Sequence, residues 1–539
     1  VGERLFGMET EYAVTSRAGR ADDSVRHGLA WRLMAVARRV LPHLSDFGDG
    51  MFLENGSRFY IDSGYHPELS TPECVHPTDV VRYILAGERI IEDLAAKVEA
   101  ANPSDAMDVF KSNVDYSGTG ATWGCHESYM HSMLPIPLSD QIIPHLVSRV
   151  IYTGAGGFDS VKPGLSFTLS PRVAHLESVM SDQSTSARGI FHTKDESLST
   201  TGYHRLHLIC GESLSSQTAM WLKVATTALV VAMAESGIRF SQKVRLCAPL
   251  TALKEFARDP QCKTRAMVSG GVWMTAIEIQ RFYLKQAESS LRGRFMPDWA
   301  EEACRQWRMI LDRLEMGYEG VNTTLDWAIK YTLYKDFVAR AGFTWESLSR
   351  WTKIHRRLYA AMGYPTDLGD SLSTAKVLDG GGLFVETVRW LEFFMRKHDL
   401  QWRDLDGFLR LRRQLFEIDT RMGQLGAGGI FSRLSRSGAL THAIPDIGNL
   451  QDFISTPPPS GRARVRGEFV RHVGAERENY ACDWQGIWDR QGKRVLDLSD
   501  PFASKERWAT LDKNAEDLFS QIPPGLREFV RYAEGYRTY

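Results

Sequence analysis

The sequence predicts an α+β fold: a curved antiparallel sheet with helices packed behind it, followed by a small C-terminal domain. Three observations predict it. The segments Arg4–Thr15, Ser57–Ser63 and Tyr203–Cys210 alternate with a period of two, with charged or polar side chains on one face and mainly apolar ones on the other. Val81–Val98, Thr218–Glu235 and most of the chain from Thr275 to about Phe416 place apolar residues at helical spacing. The run Ser455-Thr-Pro-Pro-Pro-Ser-Gly461 cannot lie inside a helix or a central strand, because proline lacks the N–H and fixes φ. A sheet with one apolar face buries that face under helices and leaves the other to line a cavity.

In chain order, Arg4–Thr15 is the first strand and Trp31–Leu41 the first helix. Asn55-Gly56 is a strong hairpin turn and feeds the strand Ser57–Ser63. The helices Val81–Val98 and Thr218–Glu235 flank the strand Tyr203–Cys210. Leu425-Gly-Ala-Gly-Gly429 breaks the long helical block before Ile430–Leu434. Beyond the prolines, Arg462–Tyr480 reads as a helix, and Cys482–Trp488 and Arg494–Leu498 as a short strand pair. Residues 1–455 are thus expected to form the main domain and 456–539 a small second domain.

Composition narrows the function classes. The 539 residues carry 65 Lys+Arg against 66 Asp+Glu, a net charge of −1, which disfavours a nucleic-acid partner because phosphate binding needs a basic excess or face. The longest apolar run, Ala228–Ala234, is far shorter than a membrane span, so no membrane partner is expected. No charged segment followed by an apolar run opens the sequence, so secretion is not expected. Seven scattered cysteines without a C-x-x-C pair form neither a disulfide framework nor a zinc cage, and a reducing, cytoplasmic compartment is expected.

Three constellations carry candidate chemistry. In Gly7-Met-Glu-Thr-Glu-Tyr12, Glu9 and Glu11 share one strand face, and two adjacent carboxylates want a cation between them or bulk water around them. In Asn55-Gly-Ser-Arg-Phe-Tyr-Ile-Asp62, Arg58, Tyr60 and Asp62 share a face, and Glu68 can return to it after a turn; the face reads as a phosphate and metal site or as a surface ladder of ion pairs. In Tyr203-His-Arg-Leu-His-Leu-Ile-Cys-Gly211, Arg205 and His207 share a face, where a lone histidine also suits a hydrogen-bonded core. His192 has no partner at zinc spacing, and Cys125-His-Glu127 reads as structural. Together, oxygen donors beside arginines, without a P-loop, point to Mg²⁺-dependent nucleotide chemistry on a sheet.

These motifs closely resemble those of the Pup ligase and Pup deamidase family. So do Lys111-Ser-Asn-Val-Asp115, Gly124-Cys-His-Glu-Ser-Tyr129, Arg188–Glu196 and Arg464-Val-Arg-Gly-Glu-Phe469, in order along the chain. The resemblance implies a fold of the glutamine-synthetase, carboxylate–amine ligase type. It implies Mg²⁺ held by Glu9, Tyr60 and Glu68, ATP contacted by Arg58, Thr71 and Trp484, and Asp62 as the catalytic aspartate. Glu11, Arg205 and His207 would complete the metal and phosphate shell. The ligase branch joins the C-terminal glutamate of Pup, a protein tag, to a lysine of a target protein with ATP; the deamidase branch hydrolyses the tag's C-terminal glutamine or that isopeptide bond. A long insertion typical of the deamidase branch is absent between Tyr12 and Glu54, so the sequence leans to the ligase. The alternatives are the tag-removing hydrolase, a small-molecule carboxylate–amine ligase and a non-catalytic tag binder. A helical insertion over about 343–421 and an extension from Lys505 to Tyr539 are expected to lack family counterparts.

Overall fold

A computed structural model describes residues 4–18, 23–184, 186–194, 198, 202–361, 389, 392–393, 395–397, 399 and 401–502. The extension 505–539 and much of the expected insertion lie outside these residues.

Alternation does build the sheet. Ten strands join edge to edge: β1 (Phe6–Glu11), β2 (His43–Ser45), β3 (Met51–Leu53), β4 (Arg58–Ile61), β5 (Pro67–Ser70), β6 (Cys125–His131), β7 (His204–Leu208), β8 (Tyr480–Cys482), β9 (Gly486–Asp489) and β10 (Arg494–Asp497). Their spatial order is β7-β6-β1-β5-β4-β3-β2-β8-β9-β10. Every ladder is antiparallel except β8 on β2, where Ala481 pairs with Ser45 in parallel. The expected strand pair after the prolines is therefore three strands that prolong the main sheet. The helix before them, α11 (Gly461–Val473), stops short of Tyr480, because Gly474 takes a φ of 49° and a 3₁₀ turn follows.

Register sets the working face. Glu9 stands opposite Ser70 on one side and His126 on the other, and Ser70 stands opposite Arg58. One pleat along, Glu11 faces Glu68, and Glu68 faces Tyr60. The alternate positions, among them Phe6, Met8, Phe59, Leu69, Leu206 and Leu208, are buried in the apolar core behind the sheet.

Helices cover that core. α1 (Asp23–Val40) and α2 (Pro77–Ala101) back one half of the sheet, and α3 (Pro135–Ser148) and α4 (Gln217–Glu235) the other. α4 is apolar on all sides, and by length and composition it is long enough to cross a membrane. The uninterrupted apolar run 228–234 is much shorter, because Lys223, Thr226 and Thr227 break the run but not the helix. Those polar groups are satisfied inside: Lys223 Nζ donates to the Glu212 carbonyl at 3.0 Å, and both threonine hydroxyls donate to carbonyls four residues earlier. The helix window is 94% buried, as the central helix of a core.

Beneath α4 lies an ion cluster. Arg149 makes a two-pronged bond to Glu127 at 2.7 and 2.8 Å, with Lys223 Nζ 3.6 Å away and Tyr129 donating to the same carboxylate. Burial opposes ionisation of Glu127, but the two cations overcome it and hold its carboxyl below the usual range. Replacing Glu127 with Ala leaves two buried cations unpaired, and should lower the unfolding free energy by about 3–5 kcal/mol in urea titrations. A loss below about 1 kcal/mol would show the cluster to be dispensable.

Candidate active site

The polar face of β1, β4, β5, β6 and β7 forms one continuous site. A cavity of about 330 Å³ opens over it, and seven of the ten expected site residues line it: Glu9, Arg58, Tyr60, Thr71, Arg205, His207 and Trp484. The other three, Glu11, Asp62 and Glu68, lie one pleat further along the same strands and at the turn after β4; His66 and His126 tie Glu11 and Asp62 to the face, and Glu68 stands opposite Tyr60.

Glu9 is the centre. Arg205 Nη2 donates to its Oε1 at 2.6 Å, while Oε2 lies 3.2 Å from His126 Nδ1 and 3.6 Å from His207 Nε2. Burial would raise its pKa, yet Arg205 and the two histidines hold the carboxyl well below the usual range. His126 also reaches Glu11, its Nε2 3.8 Å from Oε1. A Cβ on Gly124 would sit 2.5 Å from His126 Nε2 and 2.8 Å from Glu11 Oε1, so only glycine leaves room for this contact.

Glu11 is held down to about 2: burial opposes this, and the His66 hydrogen bond, His126 and Arg172 outweigh it. Glu68 goes the other way. Burial first, then the charges of Glu9 and Glu11, push its carboxyl well above the usual value. Asp62 sits where the chain turns: its Oδ1 accepts from the His66 backbone N–H at 2.6 Å, and Oδ2 is 3.5 Å from His66 Nδ1. The same Nδ1 lies 3.2 Å from Glu11 Oε2. Flanked by two carboxylates, His66 is raised to about 9 despite burial.

Three ligand groupings follow from these distances: Glu9 with His126 and His207, Glu11 with Glu68 and His126, and Glu11 with Asp62 and His66. Reading Cys125-His-Glu127 as structural needs correction. Cys125 and Glu127 point into the core, but His126 alternates onto the site face. His66 also received no role from the sequence. What brings both histidines in is strand register and a turn, which no local spacing displays. His192 joins none of the groupings found among the described residues, although its ring lies 5.5 Å from that of His207.

On the other side of the cavity, Arg58 lies over the Tyr60 ring at 4.1 Å and donates to Asp46 at 2.5 and 3.0 Å. The Thr71 hydroxyl accepts from the Met8 N–H at 3.1 Å. Trp484 arrives from the loop between β8 and β9. Glu73, not anticipated from sequence, lines the cavity and ties in the C-terminal helix, its carboxylate taking Arg462 Nε at 2.6 Å and Arg466 Nη2 at 2.8 Å.

The fold is consistent with the glutamine-synthetase type that the sequence resemblance implies. The chain belongs to the Pup-ligase family: the family model for the Pup-ligase protein matches residues 4–356 and 385–488. Among similar proteins are the Pup–protein ligases of Kribbella flavida (30% identical, covering 94% of this chain and 98% of that one) and Acidimicrobium ferrooxidans (30%, 94% and 97%). That of Rhodococcus erythropolis is 28% identical over 96% of this chain and 99% of its own. The crystal structure of the complex between the tag Pup and its ligase PafA superposes with a TM-score of 0.70 at 23% identity, covering 98% of this chain and 97% of that one. The structure of PafA with ADP gives 0.64 at 23% identity, covering 96% of each.

Glu73 generates a pH prediction. Burial alone would raise its pKa, but Arg466 and Arg462 bring it from 4.5 to about 2. A depressed carboxylate stabilises the fold fully above its unfolded pKa, and that contribution is lost as pH falls toward the folded one. The unmodified chain should exceed Glu73→Gln by roughly 3 kcal/mol near neutral pH, with the gap narrowing between about pH 5 and pH 3. A gap that stays constant over that range contradicts the assignment.

Proposed function

We propose that this chain is an ATP-dependent ligase that joins the C-terminal glutamate of a Pup-like tag to a lysine of a target protein through an isopeptide bond. The observation that carries the proposal is the continuity of the carboxylate face with the cavity walled by Trp484, on a chain that resembles Pup–protein ligases over 94–96% of its length. A carboxylate is a poor electrophile until one of its oxygens becomes a phosphate leaving group, so the site must hold a nucleotide and the tag's glutamate end to end.

The donor set fits Mg²⁺. Glu9, Tyr60 and Glu68, with Glu11 and His207, offer mainly hard oxygen donors, and burial together with the neighbouring charges of Glu9 and Glu11 raises the Glu68 carboxyl, a cost that a bound cation would relieve. The buried Nε2 of His207 has no partner at full hydrogen-bond distance and lies 3.6 Å from Glu9 Oε2. A bound Mg²⁺ supplies charge neutralisation at the phosphates.

The remaining roles fall to the chain's own side chains. Arg205 and Arg58 face the phosphates with charge. Thr71 and Trp484 line the nucleotide's cavity. The tag's γ-carboxylate oxygen attacks the terminal phosphorus of ATP and ADP leaves. The lysine amine then attacks the acyl carbon, phosphate leaves, and Asp62 takes the amine's proton. His66 holds Asp62 in place through its backbone N–H. A cytoplasmic setting belongs to this proposal, and seven free thiols support it.

The test is intact-mass analysis of the chain with ATP, Mg²⁺, a tag ending in glutamate and a lysine-bearing protein, beside a preformed conjugate. A conjugate should form with ADP release, and Asp62→Asn should slow it by about 10²-fold or more. Cleavage of the preformed conjugate without any synthesis would move the chain to the hydrolase branch. Inertness in both would overturn the tag reading.

A further inference from the structure

The wall of the nucleotide cavity is held by a clamp that spans nearly the whole chain. Arg462 and Arg466 lie one turn apart on α11, so both face the same way. Both meet the carboxylate of Glu73, nearly 400 positions earlier in sequence. Arg466 is fully buried, and its guanidinium lies 4.7 Å from the Phe52 ring centroid and 5.0 Å from that of Trp484. The two rings meet edge to face at 5.1 Å. Arg466 Nη2 donates to Glu73 and, at 3.2 Å, to the Gly56 carbonyl, while its Nε and Nη1 have no partner. The guanidinium is therefore spent on one carboxylate, one backbone carbonyl and two aromatic rings. It does not itself line the cavity, but Trp484, Glu73 and Arg462 do.

A planar cation against Trp484 fixes the tilt of the indole, and desolvated contacts of this kind are among the stronger cation–π interactions. Glu73 holds the cation in turn. We propose that Arg466, anchored by Glu73, is a positioning residue that sets Trp484 as the wall against which the nucleotide base packs, so that it governs nucleotide affinity and not the chemical step. The inference rests on the proposed use of ATP. It also gives α11 a role: the C-terminal strands complete the site only while their helix is locked to the loop after β5.

The test uses Arg466→Lys and Arg466→Met in the full chain. Lysine keeps a charge for Glu73 but loses the planar face; methionine keeps comparable length and loses both. ATP and ADP affinities are measured by calorimetry, kcat and KM for ATP in the conjugation assay, and Tm for each variant. Both variants should weaken nucleotide binding and raise KM for ATP by about tenfold, with kcat within about twofold. Arg466→Lys should do so at a Tm close to that of the unmodified chain, which a merely structural role would not produce. Nucleotide affinity unchanged in Arg466→Lys, or a loss confined to kcat, overturns the positioning role. If the unmodified chain itself binds no nucleotide, the ATP reading falls and the clamp's role falls with it.

Discussion

Mutual repulsion among buried carboxylates is the constraint on which this structure turns. Glu11 and Glu68 are buried and Glu9 is half-buried at adjoining positions on β1 and β5, where solvent screens like charges poorly. The fold offsets part of that charge with Arg205 and His66, and at Glu68 burial first, then the charges of Glu9 and Glu11, push the carboxyl up. A face made only for stability would have neutralised it or placed apolar side chains there. Residual negative charge beside an arginine-bearing cavity is what a site for cation-bound phosphates requires.

The sheet's geometry turns that constraint into a working face. Antiparallel register puts Arg58, Ser70, Glu9 and His126 in one row across four strands, and Tyr60, Glu68 and Glu11 in the next. Side chains on adjacent strands stand close enough to share a ligand, whereas residues along one strand are a full pleat apart. The parallel join of β8 to β2 brings Trp484 from the far end of the chain to the same face, and Glu73 locks that join through α11.

Most of this face was legible in the sequence, because period-two alternation puts Glu9 with Glu11, and Arg58 with Tyr60, whatever their neighbours are. The long helices declared themselves by spacing, and the prolines marked the entry to the C-terminal segment. Pairing between strands was not legible. His126 was misread for that reason, since it joins the site only by standing opposite Glu9 in the ladder. His66 enters through a turn in which Tyr65 takes a φ of 61°, a conformation local composition does not announce. Arg466 sits in the motif Arg464–Phe469, but its partnership with Glu73 is a contact between distant segments that neither local sequence displays. The bounds of α4 were legible from its spacing, but its burial on all sides was not, because Lys223, Thr226 and Thr227 find their partners inside the protein.

The most direct test of the carboxylate account is thermal unfolding of the unmodified chain and of Glu68→Gln at neutral pH, with and without MgCl₂. A carboxyl whose folded pKa is raised costs stability as pH rises above its unfolded value, so without Mg²⁺ the glutamine variant should be the more stable. Adding Mg²⁺ should raise the Tm of the unmodified chain and leave the variant nearly unmoved. A variant that is less stable without the ion, with both proteins responding equally to it, would contradict the account.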